Sequence, residues 1–234
     1  MYVNVYDQSI KYFKNVKSLI LGNNFYYDCN ITDEGLQYLS CVKDINLYNC
    51  HKITDKGLIN LKEAHIINLN FCIQITDQGL VYFRDVHTIN LKDCSEITDN
   101  GLYYLKGVRN INLNHCDKIT DNGIQYLSGV QDINLKACSN ITDDGLKYLE
   151  GVKKINLSMC LNITDKGLKY LRGVHSINLS YCYQITDKGL KYLKDAHTIF
   201  IDSCTNITDE GLKLLKGVTI ISSQKLKRIK KVEK

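Results

Sequence analysis

Val108-Arg109-Asn110-Ile111-Asn112-Leu113-Asn114-His115-Cys116-Asp117-Lys118-Ile119-Thr120-Asp121-Asn122-Gly123-Ile124-Gln125-Tyr126-Leu127-Ser128-Gly129 is one copy of a unit that fills this chain. Its Ile-Thr-Asp signature begins at Ile31, Ile53, Ile75, Ile97, Ile119, Ile141, Ile163, Ile185 and Ile207, each 22 residues after the last. Such an interval means a supersecondary unit that cannot bury its apolar side alone and does so by stacking on copies of itself. In Ile111-Asn112-Leu113 apolar and polar residues alternate, the period of a short strand with one buried face. Thr120 then precedes an acidic residue and an apolar run, which predicts a helix start at every copy. Ile124 and Leu127 share a helix face while Tyr126 points roughly 130° away, so the tyrosine is expected to be partly exposed. Gly123 costs about 0.5–1 kcal/mol relative to Ala inside a helix; its recurrence predicts close approach between adjacent coils.

Degenerate copies extend the array at both ends. Val5-Tyr6-Asp7-Gln8-Ser9-Ile10-Lys11-Tyr12-Phe13 and Val16-x-x-Leu19-Ile20-Leu21 make a first coil, with four extra residues before Ile31, and Val218 to Ser223 is a decayed tenth strand. About ten coils therefore occupy residues 1–223 as one α/β repeat domain. The net charge of +5 sits in a basic tail at 224–234: Lys225 to Lys234 hold six Lys or Arg and one Glu, leaving 24 charges of each sign elsewhere. In that tail Leu226, Ile229 and Val232 are spaced by three, as in an amphipathic helix capping the open core. The alternative is contact between Lys225, Lys227, Arg228, Lys230 and Lys231 and the phosphates of acidic lipid or nucleic acid, although no aromatic residue is interleaved for base stacking. The neutral remainder gives no reason to expect a nucleic-acid or membrane partner.

Eight of the ten cysteines, Cys50, Cys72, Cys94, Cys116, Cys138, Cys160, Cys182 and Cys204, recur at one position of the unit. A repeated position implies a structural role, with each thiol turned inward after the strand. Stacked in-register thiols are poorly oriented for disulfides, so all ten are expected to be reduced. Cys29 and Cys41 fall off the ladder and are the better candidates for reactive thiols. No signal peptide opens the sequence and no long apolar run interrupts it, so an intracellular location, cytoplasmic or nuclear, is expected.

The string Cys160-Leu161-Asn162-Ile163-Thr164-Asp165-Lys166-Gly167-Leu168 resembles the cysteine-containing subfamily of leucine-rich repeats. That resemblance covers nearly the whole chain. It implies a solenoid, a right-handed β-α superhelix with a curved parallel sheet on its concave face and short helices on the convex face. Family members include substrate-recognition subunits of SCF-type ubiquitin ligases, in which an F-box precedes the repeats. Here the repeats begin by residue 5, so a ligase role implies an F-box supplied by another chain, or a fragment. The nearly uniform units, with 26 Lys against 4 Arg and no Pro, also look like the expanded repeat proteins of giant DNA viruses, in which no tightly selected ligand need exist.

A ladder supplies rows of like groups, and an enzyme needs a convergent set of unlike ones. No catalytic residue, cofactor or metal is therefore expected. The Asp row (Asp33, Asp55, Asp77, Asp99, Asp121, Asp143, Asp165, Asp187, Asp209) is read as helix capping. The pairs His65 with His87 and His175 with His197 lack a third zinc ligand. What remains is a non-enzymatic scaffold for a protein partner. Asn46, Asn68, Asn90, Asn112, Asn134, Asn156 and Asn178 lie at mid-strand, where their amides are expected to hydrogen-bond to one another along the stack. A uniform row encodes no particular ligand, so recognition falls to variable positions: Lys154 before the row; Tyr48, Lys92, Lys136 and Asp202 after it; and Phe200, which breaks it. Beside the cysteines, Phe71 with Ile73, Met159 with Leu161 and Tyr181 with Tyr183 are apolar where most residues are polar. They form either a partner-binding edge or local loop packing.

Overall fold

A computed structural model describes residues 6–22 and 29–223, and the chain divides into two compact units, residues 1–118 and 119–234. In the first, five strands of three residues each, β1 (Ser18–Ile20), β2 (Asp44–Asn46), β3 (Ile66–Asn68), β4 (Thr88–Asn90) and β5 (Asn110–Asn112), pair in parallel and in chain order. In the second, β6 (Asp132–Asn134), β7 (Lys154–Asn156), β8 (Ser176–Asn178), β9 (Thr198–Phe200) and β10 (Thr219–Ile221) do the same. The register repeats without slip: Leu19, Ile45, Ile67, Ile89 and Ile111 are direct neighbours in the first unit. The sequence period therefore becomes a spatial one, and a given position always meets its own kind.

Most coils carry one turn of α-helix opposite the strand, as in Asp55–Leu58 and Asp187–Leu190, while Gly167–Leu171 is wholly 3₁₀. Helices this short are unstable alone, so packing must hold them. The Ile of each Ile-Thr-Asp, the Leu or Ile after each helix glycine from Leu36 to Leu190 and the ladder cysteines form the core beneath them.

Each signature Thr caps its own helix, its Oγ1 accepting from the N–H two residues on at 3.2–3.3 Å. The Asp that follows does something the sequence reading did not expect. Besides standing in the first helical turn, it reaches into the next coil. Asp33 Oδ1 accepts from Thr54 N at 2.8 Å, and its Oδ2 accepts from Thr54 Oγ1 at 2.6 Å. The same pair of bonds joins Asp55 to Thr76, Asp77 to Thr98, Asp143 to Thr164, Asp165 to Thr186 and Asp187 to Thr208. Each Thr hydroxyl thus donates to the previous coil's carboxylate while accepting from its own helix, using both capacities of one oxygen. The glycine makes room: a Cβ on Gly189 would collide with Asp165 Oδ1, and one on Gly57 with Asp33 Oδ1.

The Asn row also differs from expectation. The side-chain oxygens of Asn46, Asn68, Asn90, Asn112, Asn134, Asn156 and Asn178 accept from the backbone N–H two residues further along the same coil, at 2.9–3.0 Å. They close the three-residue strand with a local turn, a bond that short polar side chains make readily, in place of an amide ladder.

The expectation that every cysteine is reduced is corrected at one place. Cys29 and Cys50 form a disulfide with Cα atoms 4.7 Å apart, joining a cysteine one position off the ladder to the first rung. Cys29 is accordingly a buried bridging residue, and Cys41 is the exposed free thiol. On the higher rungs the thiol donates to the strand-end carbonyl of the preceding coil, as Cys72 to Leu47 O at 3.1 Å and Cys182 to Leu157 O at 3.1 Å. Burial pushes the Cys72 and Cys182 thiols up to about 12, and raises those of Cys94 and Cys160 as well. A disulfide persists in oxidising surroundings, so cysteine chemistry gives no support to a reducing compartment. Among the described residues no helix is long and apolar enough to cross a membrane. The basic tail, 224–234, lies outside the described residues.

Two predictions follow from this packing. Helix propensity says that Gly189→Ala stabilises; the carboxylate against that glycine says that it destabilises, by about 1–3 kcal/mol, and urea denaturation reads the sign. Thiol labelling of the native protein should modify Cys41 rapidly and the seven buried free cysteines only after unfolding, with the last two thiols appearing on reduction.

Candidate interaction surface

The strand-closing turn places the residue before each ladder cysteine in the left-handed region. Asn49, Phe71, Asp93, His115, Ala137, Met159, Tyr181 and Ser203 have φ between 57° and 64°. Asn, Asp and Gly occupy that region most cheaply, and other L-residues pay about 1–2 kcal/mol. Phe71, Met159 and Tyr181 are therefore side chains that the backbone would not choose. Their backbones are nonetheless held in the sheet direction: Phe71 N donates to Lys92 O at 3.0 Å, Met159 N to Ser180 O at 2.9 Å and Tyr181 N to Asp202 O at 2.8 Å.

In the second unit Met159, Leu161, Tyr181 and Tyr183 stand on two adjacent coils, each between 42 and 48% exposed. The loop beneath them is pinned, with Gln184 Nε2 donating to Leu161 O and Asn206 Nδ2 to Tyr183 O at 2.7 Å. In the first unit the ring of Tyr48 meets Phe71 edge-on at 5.7 Å, and Lys92 Nζ lies 5.1 Å from the Phe71 ring centre. Tyr48, Phe71 and Lys92 thus make one half-buried cluster, while Ile73 beside it is exposed.

The other sequence-selected residues are dispersed. Lys154 is exposed on β7, and Phe200 is half-buried on β9 between Asn178 and Ile221. Lys136 and Asp202 are half-buried; Asp202 donates its N–H to Ser180 Oγ and accepts from Ser223 N. Asn70, Asn114, Ser158 and Ser180, which share the row of Tyr48 and Lys92, are buried. That row is largely a turn interior, since the chain bends after the Asn and carries it inward. Of the two histidine pairs, His175 and His197 stack in parallel at 4.8 Å and His65 and His87 meet edge-on at 5.1 Å. Among the described residues no cluster of three metal-ligating side chains occurs.

A Leucine Rich repeat family model matches residues 28–40 and 108–128. The fold is that of the leucine-rich repeat. TLR13, in its complex with ssRNA13, is similar with a TM-score of 0.69 at 17% identity over 92% of this chain and 33% of that one. This chain therefore spans about a third of TLR13. Internalin C2 of Listeria monocytogenes is similar with a TM-score of 0.51 at 17% identity, over 94% of this chain and 84% of the other. No curated protein sequence matches significantly.

Sequence reasoning missed a second pattern, on the helical side. Lys147, Lys169 and Lys191 each stand over the Tyr that follows them at 4.5–4.9 Å, Arg84 stands over Tyr104 at 5.2 Å and Arg172 over Tyr192 at 5.1 Å. The available signal was the recurring Lys-Tyr-Leu, together with an Arg at equivalent positions of two coils in a Lys-dominated chain.

The left-handed backbone makes Tyr181→Asn a discriminating substitution. Stability should hold or rise by up to about 1 kcal/mol, whereas Leu179→Ala in the core should lose about 2–5 kcal/mol; paired denaturation curves measure both.

Proposed function

We propose that this leucine-rich repeat protein is a non-enzymatic scaffold that docks a protein partner on the loop edge formed by Met159, Leu161, Tyr181 and Tyr183. The observation that carries this reading is the pair Met159 and Tyr181. Large apolar side chains occupy a left-handed position that costs them stability, they remain exposed, and the carbonyls of Leu161 and Tyr183 beside them are hydrogen-bonded to the next coil. Aromatic and methionine side chains concentrate binding energy when a partner desolvates them. Tyr48, Phe71 and Lys92 are a second contact cluster in the other unit. In this reading residues 1–223 act as one binding domain.

The test is quantitative recovery of partners from the native cell by the wild-type chain and by the Met159→Ala/Tyr181→Ala variant. A stoichiometric partner should be recovered by the wild type and fall at least tenfold with the variant, while the melting temperature stays within a few degrees. Equal recovery by both proteins overturns the assignment of this edge. Stoichiometric recovery of a cullin or its adaptor protein assigns the chain instead to ubiquitin-ligase machinery, with the F-box carried by another chain.

A further inference from the structure

We propose that a cavity on the helical side of the second unit, lined by Arg172, Lys191, Tyr192, Lys194 and Asp195, binds the dianion of a phosphate monoester. The cavity holds about 550 Å³, within the range of small-ligand sites. Three cations face it against one carboxylate. Lys43 pairs with Glu63 at 3.1 Å and Lys118 with Glu96 at 2.8 Å. Arg172, Lys191 and Lys194 form no ion pair among the described residues. The lining carries two more positive than negative charges, with Arg172, Lys191 and Lys194 all exposed, and an external dianion balances that excess.

The geometry restricts the ligand further. Arg172 and Lys191 lie 5.1 and 4.8 Å from the centre of the Tyr192 ring, which is half-buried on the adjacent coil. Stacking on the ring orients the guanidinium and limits the rotamers it must give up on binding. An oriented guanidinium offers paired N–H donors matched to two oxygens of one phosphate, a fit that lysine lacks. Arg is scarce in this chain, with 4 against 26 Lys, and the same stack recurs in the first unit as Arg84 over Tyr104. That second stack supplies an internal control: it has the ring and the guanidinium, but the residues equivalent to Lys191 and Asp195 are Tyr103 and Gly107.

The full chain is titrated by calorimetry with phenyl phosphate, inorganic phosphate and sulfate at constant ionic strength. Saturable one-to-one binding of phenyl phosphate is expected, tightening as pH rises through the second phosphate pKa near about 6. Arg172→Gln should weaken it at least fivefold, and Arg84→Gln should leave it unchanged, both with unaltered melting temperatures. Inorganic phosphate matching phenyl phosphate identifies the free anion as sufficient; a preference for phenyl phosphate identifies an organic monoester held beside Tyr192. Absence of saturable binding, equal loss in the Arg84→Gln and Arg172→Gln variants, or sulfate binding as tightly as phenyl phosphate at pH 8 overturns the proposal. So does tight binding of single-stranded oligonucleotide that Arg172→Gln leaves intact, since a distributed polyanion surface would then account for the charge.

Discussion

The contact on which the stack depends is the pair of hydrogen bonds from one coil's Thr to the preceding coil's Asp. A three-residue strand contributes few ladder bonds, and a one-turn helix has no stability of its own. Neither would fix the helical side of a coil against its neighbour. The Asp carboxylate does so by accepting from both the backbone and the hydroxyl of Thr, as at Asp165 and Thr186. Hydrogen bonds to a charged group are worth roughly twice those between neutral groups. The glycine two residues beyond the Asp, as Gly189 after Asp187, has no Cβ to push the coils apart. Thr, Asp and Gly are therefore invariant together for one reason: removing any of them disturbs the same contact.

Much of this was legible because repetition converts sequence position into spatial position. The strand register, the short helices, the buried Ile and the close approach at Gly all follow from a period of 22 and an amphipathic unit. Even the decayed strands fall in place, with Leu19 beside Ile45 and Ile220 beside Ile199. What stayed hidden were contacts between coils that the one-dimensional pattern does not orient. Asp after Thr looks like helix capping from within one unit, and its bond to the next unit appears only when two units are stacked. Asn at mid-strand looks like a ladder, yet the strand stops after it and the local turn takes its oxygen first.

The disulfide belongs to the same class of hidden contact. Cys29 is displaced by one position from the ladder, and a periodic reading treats displacement as exclusion. The four-residue insertion breaks the rule that equivalent positions face their equivalents, so a residue off the ladder can face one on it. Cys50 is the first rung. Higher rungs such as Cys72 donate an S–H hydrogen bond to a leucine carbonyl of the coil before; this rung is joined covalently instead. Departures from the period are thus where local sequence stops predicting structure.

They are also where recognition can reside. Rows of identical Asp, Thr, Gly and Cys are committed to stacking, and the Asn row is consumed within its own coils. Only positions free of those duties can encode a partner, and the left-handed residue before each cysteine shows how such freedom is used. Its backbone geometry is fixed and favours Asn or Asp, as at Asn49 and Asp93, yet its side chain differs from coil to coil. Placing Met or Tyr there opposes the local preference by an amount comparable to one hydrogen bond. His115, Ala137 and Ser203 bear the same cost, but Met159 and Tyr181 put large exposed apolar side chains there on adjacent coils, with Leu161 and Tyr183 exposed beside them. A contact with a partner offsets that sum only by covering the whole cluster, because fully burying an apolar side chain is worth roughly 1.5–3 kcal/mol and these four are already about half covered.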